Sequence, residues 1–342
     1  MQGLLLLLLC FYGVVAFATE QSSHNEASQW LERMNQAVSS VNYEGHFVYQ
    51  CGETLEAMYI RHQNGKHGPR ESLSSLTGLP REVIRDSQSI TVITNQNGKL
   101  QVSQQPAVGR LSPLKSLQLS ELEKNYALRM GDATRVAGRT GVTILLMPRD
   151  DLRYGYRLVL DKMSALPLDL MVVDSENEVQ SHIMFTDLRI TDVDLASIQQ
   201  SGGEPLPVEQ KDAEKAKVSV TLAGLAANEK PVEFVDKPLL KEVPEPEAPW
   251  QFEAIPKGFR LINHQRVGQN GLYHFVFSDG LATVSVYLEP IAQGDHGFEG
   301  FTSLSSMNVL GRRLGDYQVT VVGEVPERTL QLLADGIKPN DS

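Results

Sequence analysis

Residues 136–170 (VAGRTGVTILLMPRDDLRYGYRLVLDKMSALPLDL) constrain the fold more than any other stretch of the chain. They hold three extended runs separated by turn chemistry. The runs at 142–147 (VTILLM) and 168–173 (LDLMVV) carry apolar side chains at odd and even positions, which calls for cover on both faces. Between them Tyr154, Tyr156, Leu158 and Leu160 alternate with Gly155, Arg157 and Val159, and residues 148–151 and 161–164 supply the turns. The pattern predicts an antiparallel meander with a buried inner face. Such a sheet either packs on a second layer or curls around an apolar lumen, and only the second arrangement provides a ligand site.

At 342 residues the chain has room for two domains, each with its own core. Hydrophobic content of 41% and charged content of 21% are those of a globular protein. A formal charge of -11, without a basic stripe or zinc-finger spacing, argues against a nucleic-acid partner. A basic or amphipathic partner segment suits such a surface better.

Residues 1–18 read as an export signal, with an apolar run from Leu4 to Leu9 and Ala16-Phe17-Ala18 as a small-x-small cleavage site. The n-region has no Lys or Arg, so an uncleaved anchor is the alternative, although the apolar stretch is short for a full span. Cys10 lacks the small residues that precede a lipoprotein cysteine. After cleavage Cys51 is the sole thiol, and Cys51-Gly52-Glu53 reads as a turn that exposes it.

The mature chain opens with a predicted helix whose apolar face is Ala27, Trp30, Leu31, Met34, Val38 and Val41, with Ser23 and Glu26 as a capping box. It suits either a plug in the mouth of a curled sheet or plain helix-on-sheet packing. Strands are expected at 43–50, 55–61, 71–76, 81–85, 90–94 and 99–102, joined by turns that include Asn64-Gly65 and Asn97-Gly98. A short helix is expected within 111–122, followed by strands from 126 to 190. Without long helical crossovers, the sheet should be antiparallel. Residues 192–247 are rich in Pro and Glu and read as a linker with at most one short strand, at 218–222. Beyond it, 255–259 forms an opening turn. Strands at 259–263, 272–277, 282–289 and 317–322 follow, with Ser278-Asp279-Gly280 as a hairpin turn and a closing helix at 326–337.

Signals for chemistry are sparse. The chain has no G-x-S-x-G elbow, phosphate-binding glycine loop or H-E-x-x-H helix. His62 and His67 flank Asn64-Gly65 without a third ligand at metal spacing and read as a solvated pair. His264, His274 and His296 are scattered. Asp150 and Asp151 are adjacent, so on extended backbone they point apart and do not form an acid/base pair. Binding is the remaining role. Trp30, Phe47, Tyr49, Met58, Ile60, Leu145, Met147, Leu158 and Leu170 are the candidates to line a lipid groove or receive a partner helix, with ordinary core as the competing interpretation.

Several blocks resemble the RseB/MucB family, periplasmic regulators of a sigma-E-type envelope stress response. They are ASQWLERMNQAVSSVNYEGHFVY, GLPREVIRD, the 136–170 run, SDGLATVSVYLEP and QVTVVGEVPERT, in the family's order. The resemblance implies a mainly β (α+β) fold. Its parts are an N-terminal unclosed antiparallel barrel with helices, similar to LolA and LolB, and a smaller α+β C-terminal domain. The implied organisation is a signal peptide at 1–18, a lipid-sensing domain at 24–191, the linker at 192–247 and the C-terminal domain at 248–338. It further implies a non-enzymatic protein without cofactor that binds the periplasmic domain of a one-span anti-sigma factor of the RseA/MucA type and responds to lipid or lipopolysaccharide. Self-association stays open. A lipid or lipoprotein carrier of the LolA type is the competing function, and a hydrolase with an unrecognised site is a third.

Overall fold

The computed structural model describes residues 3–65, 68–96, 99–106, 118–191, 249–267, 271–292, 297–304 and 306–340. Side chains are described from Ser22 onward within these ranges, except at 96, 99 and 104–106. The expected strand at 218–222, the linker containing it, and the part of the expected helix before residue 118 lie outside the described residues. Met1–Val193 and Ala248–Ser342 form one compact unit.

The chain begins with α1 (Gly3–Ser40). Six strands follow: β1 (Tyr43–Cys51), β2 (Thr54–Gly65), β3 (Gly68–Ser75), β4 (Arg81–Arg85), β5 (Ser89–Gln96) and β6 (Lys99–Pro106). After α2 (Leu119–Asn125) come β7 (Tyr126–Met130), β8 (Thr134–Val136), β9 (Arg139–Pro148), β10 (Gly155–Asp161), β11 (Pro167–Val173) and β12 (Val179–Ile190). The last part holds β13 (Trp250–Phe252), β14 (Arg260–Val267), β15 (Leu272–Ser278), β16 (Thr283–Pro290), β17 (Gly300–Leu304), β18 (Met307–Leu314), β19 (Tyr317–Gly323), α3 (Glu327–Asp335) and β20 (Ile337–Pro339).

The first twelve strands make one antiparallel sheet in the order β6-β5-β4-β3-β2-β1-β12-β11-β10-β9-β7, with β8 on β9. Its end strands β6 and β7 do not pair with each other, so the sheet is unclosed. The 136–170 run supplies β9, β10 and β11 as the predicted meander, with Leu158 opposite Ile144 on one side and Leu170 on the other. One core joins Leu31, Met34 and Val38 of α1 to Phe47, Met58, Tyr126, Ile144, Leu168 and Phe185 from strands across the sheet. The sheet therefore curls around α1, whose apolar side chains fill the inner face from β7 to β2.

A second sheet, β14-β15-β16-β19-β18-β17, carries α3 and has its own core, in which Phe277, Val284, Val286, Val319 and Val321 meet Leu330 and Leu333. The small pair β13-β20 adds Trp250 and Ile337 to that core. Among the described residues no helix is long and apolar enough to cross a membrane.

Four local expectations differ. The Ser23/Glu26 capping box is absent, because α1 runs through it. The preceding residues hold no Pro to stop a helix, and Ser23 Oγ instead accepts the amide of Met130 on β7 at 2.9 Å. Asn64-Gly65 is also not a turn: both residues lie in β2, paired as far as Gly65 opposite Gly68, and residues 66–67 lie outside the described residues. In consequence His62 is not solvated. It is fully buried and stacked on Tyr43 at 5.3 Å, while His67 lies outside the described residues. Cys51 is buried as well, because the second sheet covers the β1–β2 turn. Finally, β17 and β18 were not expected from sequence. Their polar residues, among them Thr302, Ser303, Asn308, Arg312 and Arg313, blur the alternation that betrays a strand, and β17 is an edge.

Leu158 is the centre of the meander and has no exposed surface. Leu158→Ala is expected to cost about 2–5 kcal/mol, a large share of a typical total of about 5–15 kcal/mol. Urea unfolding measures it, and an unchanged midpoint would remove Leu158 from the core.

Candidate functional site

Strand pairing decides which candidate residues share a face. Leu158 lies opposite Leu170, Leu170 opposite Ile183, and Ile183 opposite Tyr49. Two residues along β1, Phe47 faces Met58, with Ile60 next on the same side of β2. Phe47, Tyr49, Met58, Ile60, Leu158 and Leu170 are thus brought together on the inner face. Phe47, Met58 and Leu158 are buried in the core, whereas Tyr49, Ile60 and Leu170 are half-buried at its margin. Trp30 packs beside the same core from α1, with the Arg33 guanidinium 4.0 Å from its ring.

Leu145 and Met147 do not join them. Side chains alternate along β9, so the buried Ile144 and Leu146 point inward, and Leu145 and Met147 take the outer face, half-buried and exposed respectively. The apolar run in β9 is therefore fully covered on one face only.

Beyond the core the inner face continues as a strip. Ile60 lies opposite Leu73, Leu73 opposite Val83, and Val83 opposite Val92, giving one half-buried aliphatic side chain on each of β2 to β5. One row further along the same strands, a cleft of about 310 Å³ is lined by Glu56, Ser75, Thr77, Leu79, Arg81 and Thr94 among others. None of the nine candidates lines it. The strip, with unspent apolar surface, is the part of the face on which an acyl chain or a partner helix can lie.

The second feature is the junction between the two sheets. The Pro148–Gly155 turn carries Arg153, whose side chain is completely buried. Its guanidinium donates to Asp279 Oδ2 at 2.6 Å, to Asp150 at 2.9 and 3.2 Å, and to the Lys257 carbonyl at 2.5 Å. Phe259 and Tyr126 flank it. Asp279 is equally buried. Its Oδ1 holds the 278–280 turn by accepting the Leu281 and Ala282 amides, and its Oδ2 also accepts the Tyr126 hydroxyl at 3.1 Å. Burial, with the nearby Tyr156 and Asp279, pushes the Tyr126 hydroxyl well above its usual range, so it remains a donor. Gly258 closes the contact. Its φ of +84° and an approach that would bring a Cβ within 2.3 Å of Asn125 leave no room for a side chain.

Further contacts run along the same seam. Thr329 donates to the Leu152 carbonyl at 2.5 Å, and Asn308 donates to Tyr154 Oη at 3.0 Å and the Val325 carbonyl at 2.8 Å. Cys51 Sγ and Ser306 lie 3.0 Å apart through both the hydroxyl and the amide of Ser306. Asp150 and Asp151 are both engaged in ion pairs, with Arg153 and Arg328. Sequence reasoning missed this seam. The one usable signal was Arg153, a charge between Leu152 and Tyr154 where a surface turn needs no apolar neighbours.

Comparison with known proteins agrees with this two-sheet arrangement. Residues 26–215 match the MucB/RseB N-terminal domain and residues 244–338 the MucB/RseB C-terminal domain. The chain belongs to the MucB/RseB family. It is 29% identical to the sigma factor AlgU regulatory protein MucB of Pseudomonas aeruginosa, over 97% of this chain and 96% of that protein. It is 23% identical to the sigma-E factor regulatory protein RseB of Escherichia coli K12, over 95% of each. Among solved structures, the P. aeruginosa MucA/MucB complex superposes with a TM-score of 0.63 at 26% identity, covering 93% of this chain and all of that one. MucB in complex with MucA(peri) gives 0.62 at 27% identity, covering 92% and 100%.

The seam makes two predictions. Removing one partner of the buried pair, by Asp279→Ala or Arg153→Ala, should cost about 3–5 kcal/mol, and Arg153→Met with Asp279→Leu together should cost less than either. Urea unfolding tests the energies. Thiol labelling tests the location: Cys51 should react slowly in the native protein and faster in Asp279→Ala. The second prediction concerns Glu324. Burial raises its pKa against hydrogen bonds from Ser181 and Ser306, and its Oε1 is buried without a partner. The folded state keeps this proton to higher pH than the unfolded chain, so the stabilisation is complete below the usual carboxylate range and is lost as pH rises through the raised value. Glu324→Gln should remove that slope and stabilise the protein at neutral pH. Parallel stability-versus-pH curves for the two proteins would exclude it.

Proposed function

We propose that this chain is a periplasmic negative regulator of a sigma-E-type envelope stress response. It binds the periplasmic segment of a membrane-anchored anti-sigma factor of the RseA/MucA type and shields it from regulatory proteolysis. Mislocalised lipid or lipopolysaccharide then promotes release. The observation that carries this reading is the likeness along nearly the whole chain, both sheets included, to MucB solved with the periplasmic part of MucA. Residues 1–18 act as the export signal, 24–191 as the lipid-sensing part, 192–247 as the linker and 248–338 as the C-terminal part. The role is binding and not catalysis, and it needs no cofactor.

The half-buried strip from Ile60 to Val92 supports the lipid side, since it offers an acyl chain an aliphatic row across four strands. If lipid and the anti-sigma segment prefer different states of the protein, each must weaken the other's binding by the same factor. A carrier of the LolA type would use the first sheet alone. The seam built on Arg153 and Asp279 favours the regulator, because it ties a second sheet to the first with buried charge.

The test is retention of the periplasmic anti-sigma segment by the protein, measured together with the rate at which the segment is cleaved. Retention with slower cleavage is expected, and lipopolysaccharide should lower the affinity. Absence of retention, or retention without protection, defeats the regulator reading. Unchanged affinity at every lipopolysaccharide concentration defeats only the sensing part.

A further inference from the structure

The first sheet ends in a row of exposed leucines. β1 to β6 alternate in direction, so the β1–β2, β3–β4 and β5–β6 connections all fall at one end of the sheet. At that end Leu55 is 62% exposed, Leu76 54%, Leu79 69% and Leu100 50%. The connections are neighbours: the Leu76 amide donates to the Ala57 carbonyl at 2.8 Å, and the Asn95 amide, opposite Leu100, donates to the Pro80 carbonyl at 3.2 Å. Neither the core shared with α1 nor the seam uses these leucines.

We propose that this end of the sheet docks on a zwitterionic lipid bilayer, with the leucines entering its interface. Three observations favour a bilayer over a protein partner. The leucines project from separate hairpin ends, only Leu79 borders the cleft, and a bilayer receives protruding side chains without a matching pocket. Both hydroxyls of the central loop are already paired. Ser75 Oγ donates to the Leu79 carbonyl at 3.0 Å and accepts the Arg81 amide at 2.9 Å, and Thr77 Oγ1 accepts the Ala57 amide at 3.0 Å. Such a loop loses little on leaving water. The charges beside it also cancel, since Arg81 pairs with Glu56 at 3.2 Å. A net charge of -11 disfavours an anionic surface, which is why the lipid is zwitterionic.

None of these leucines belongs to the strip that Ile60, Leu73, Val83 and Val92 form on the inner face, although Leu79 borders the cleft beside it, and the surface needs no anti-sigma segment. Its test is independent of the proposed function. The full chain, as its host processes it and purified without detergent, is floated with phosphatidylcholine vesicles. Wild type should float with the vesicles. Leu55→Asp and Leu79→Asp should each weaken binding about tenfold, the loss of one partly buried leucine. Met163→Asp is the control. Met163 is 61% exposed on the β10–β11 turn, at the opposite end of the sheet, and its replacement should leave binding unchanged.

Leu79→Trp gives a readout that does not depend on a loss of binding. Its emission should shift to the blue when vesicles are added, beyond any change seen with Trp30 and Trp250 alone in the wild type. No flotation of wild type, equal flotation of a Leu55→Asp/Leu79→Asp double variant, an equal loss in Met163→Asp, or an unshifted emission from the Leu79→Trp variant each overturns the proposal. So does binding confined to phosphatidylglycerol vesicles, which would make charge the cause. Lipid leaving the vesicles in a soluble complex, with no protein floating, overturns it in favour of uptake on the inner face.

Discussion

The pairing of Arg153 with Asp279 is the interaction on which the relation of the two sheets rests. Both side chains are fully buried, so neither is charged at low cost unless the other is present. Each is also tied into its own local turn. Arg153 grips Asp150 in the connection between β9 and β10, and Asp279 holds the amides of the β15–β16 hairpin. The pair therefore couples the backbone of one turn to the backbone of another. Tyr126 adds a hydrogen bond to the Asp279 carboxylate, and Thr329, Asn308 and Ser306 extend that coupling along the seam with neutral hydrogen bonds.

Helix α1 divides the inner face of the first sheet into two halves. Between β7 and β2, α1 and the inner face form a packed core with little to offer a ligand. Outward from β2, the aliphatic strip keeps part of its surface open. An inner face of uniform chemistry thus becomes core in one half and half-open apolar surface in the other. The difference lies in what covers it and not in residue type, since Leu158 and Leu73 are the same side chain in two settings.

The meander at 136–170 was legible because a strand's period is local. Alternation around Tyr154 to Leu160 places successive side chains on opposite faces wherever the strand lies. The inward-facing parity followed where alternation was clear, as for Phe47 and Met58, which lie in the packed core. It failed for Leu145 and Met147, because a run apolar at every position does not say which parity points inward. Cys51 and His62 failed for a related reason. Each sits near a turn, and turn composition predicts exposure unless another part of the chain arrives to cover it.

Sequence alone determined the strands, their antiparallel pairing between neighbours and, through blocks spread over the whole chain, membership of the MucB/RseB family. These follow from side-chain period, turn residues and motif order, all of which are written within short stretches. Only the tertiary structure decided which face of β9 is the inner one, that α1 fills one half of the curl, and that a buried charge pair joins residues 126 positions apart. The reason is physical. The cost of burying Arg153 depends on a carboxylate from another sheet, and no local pattern can encode a partner that only folding brings to 2.6 Å.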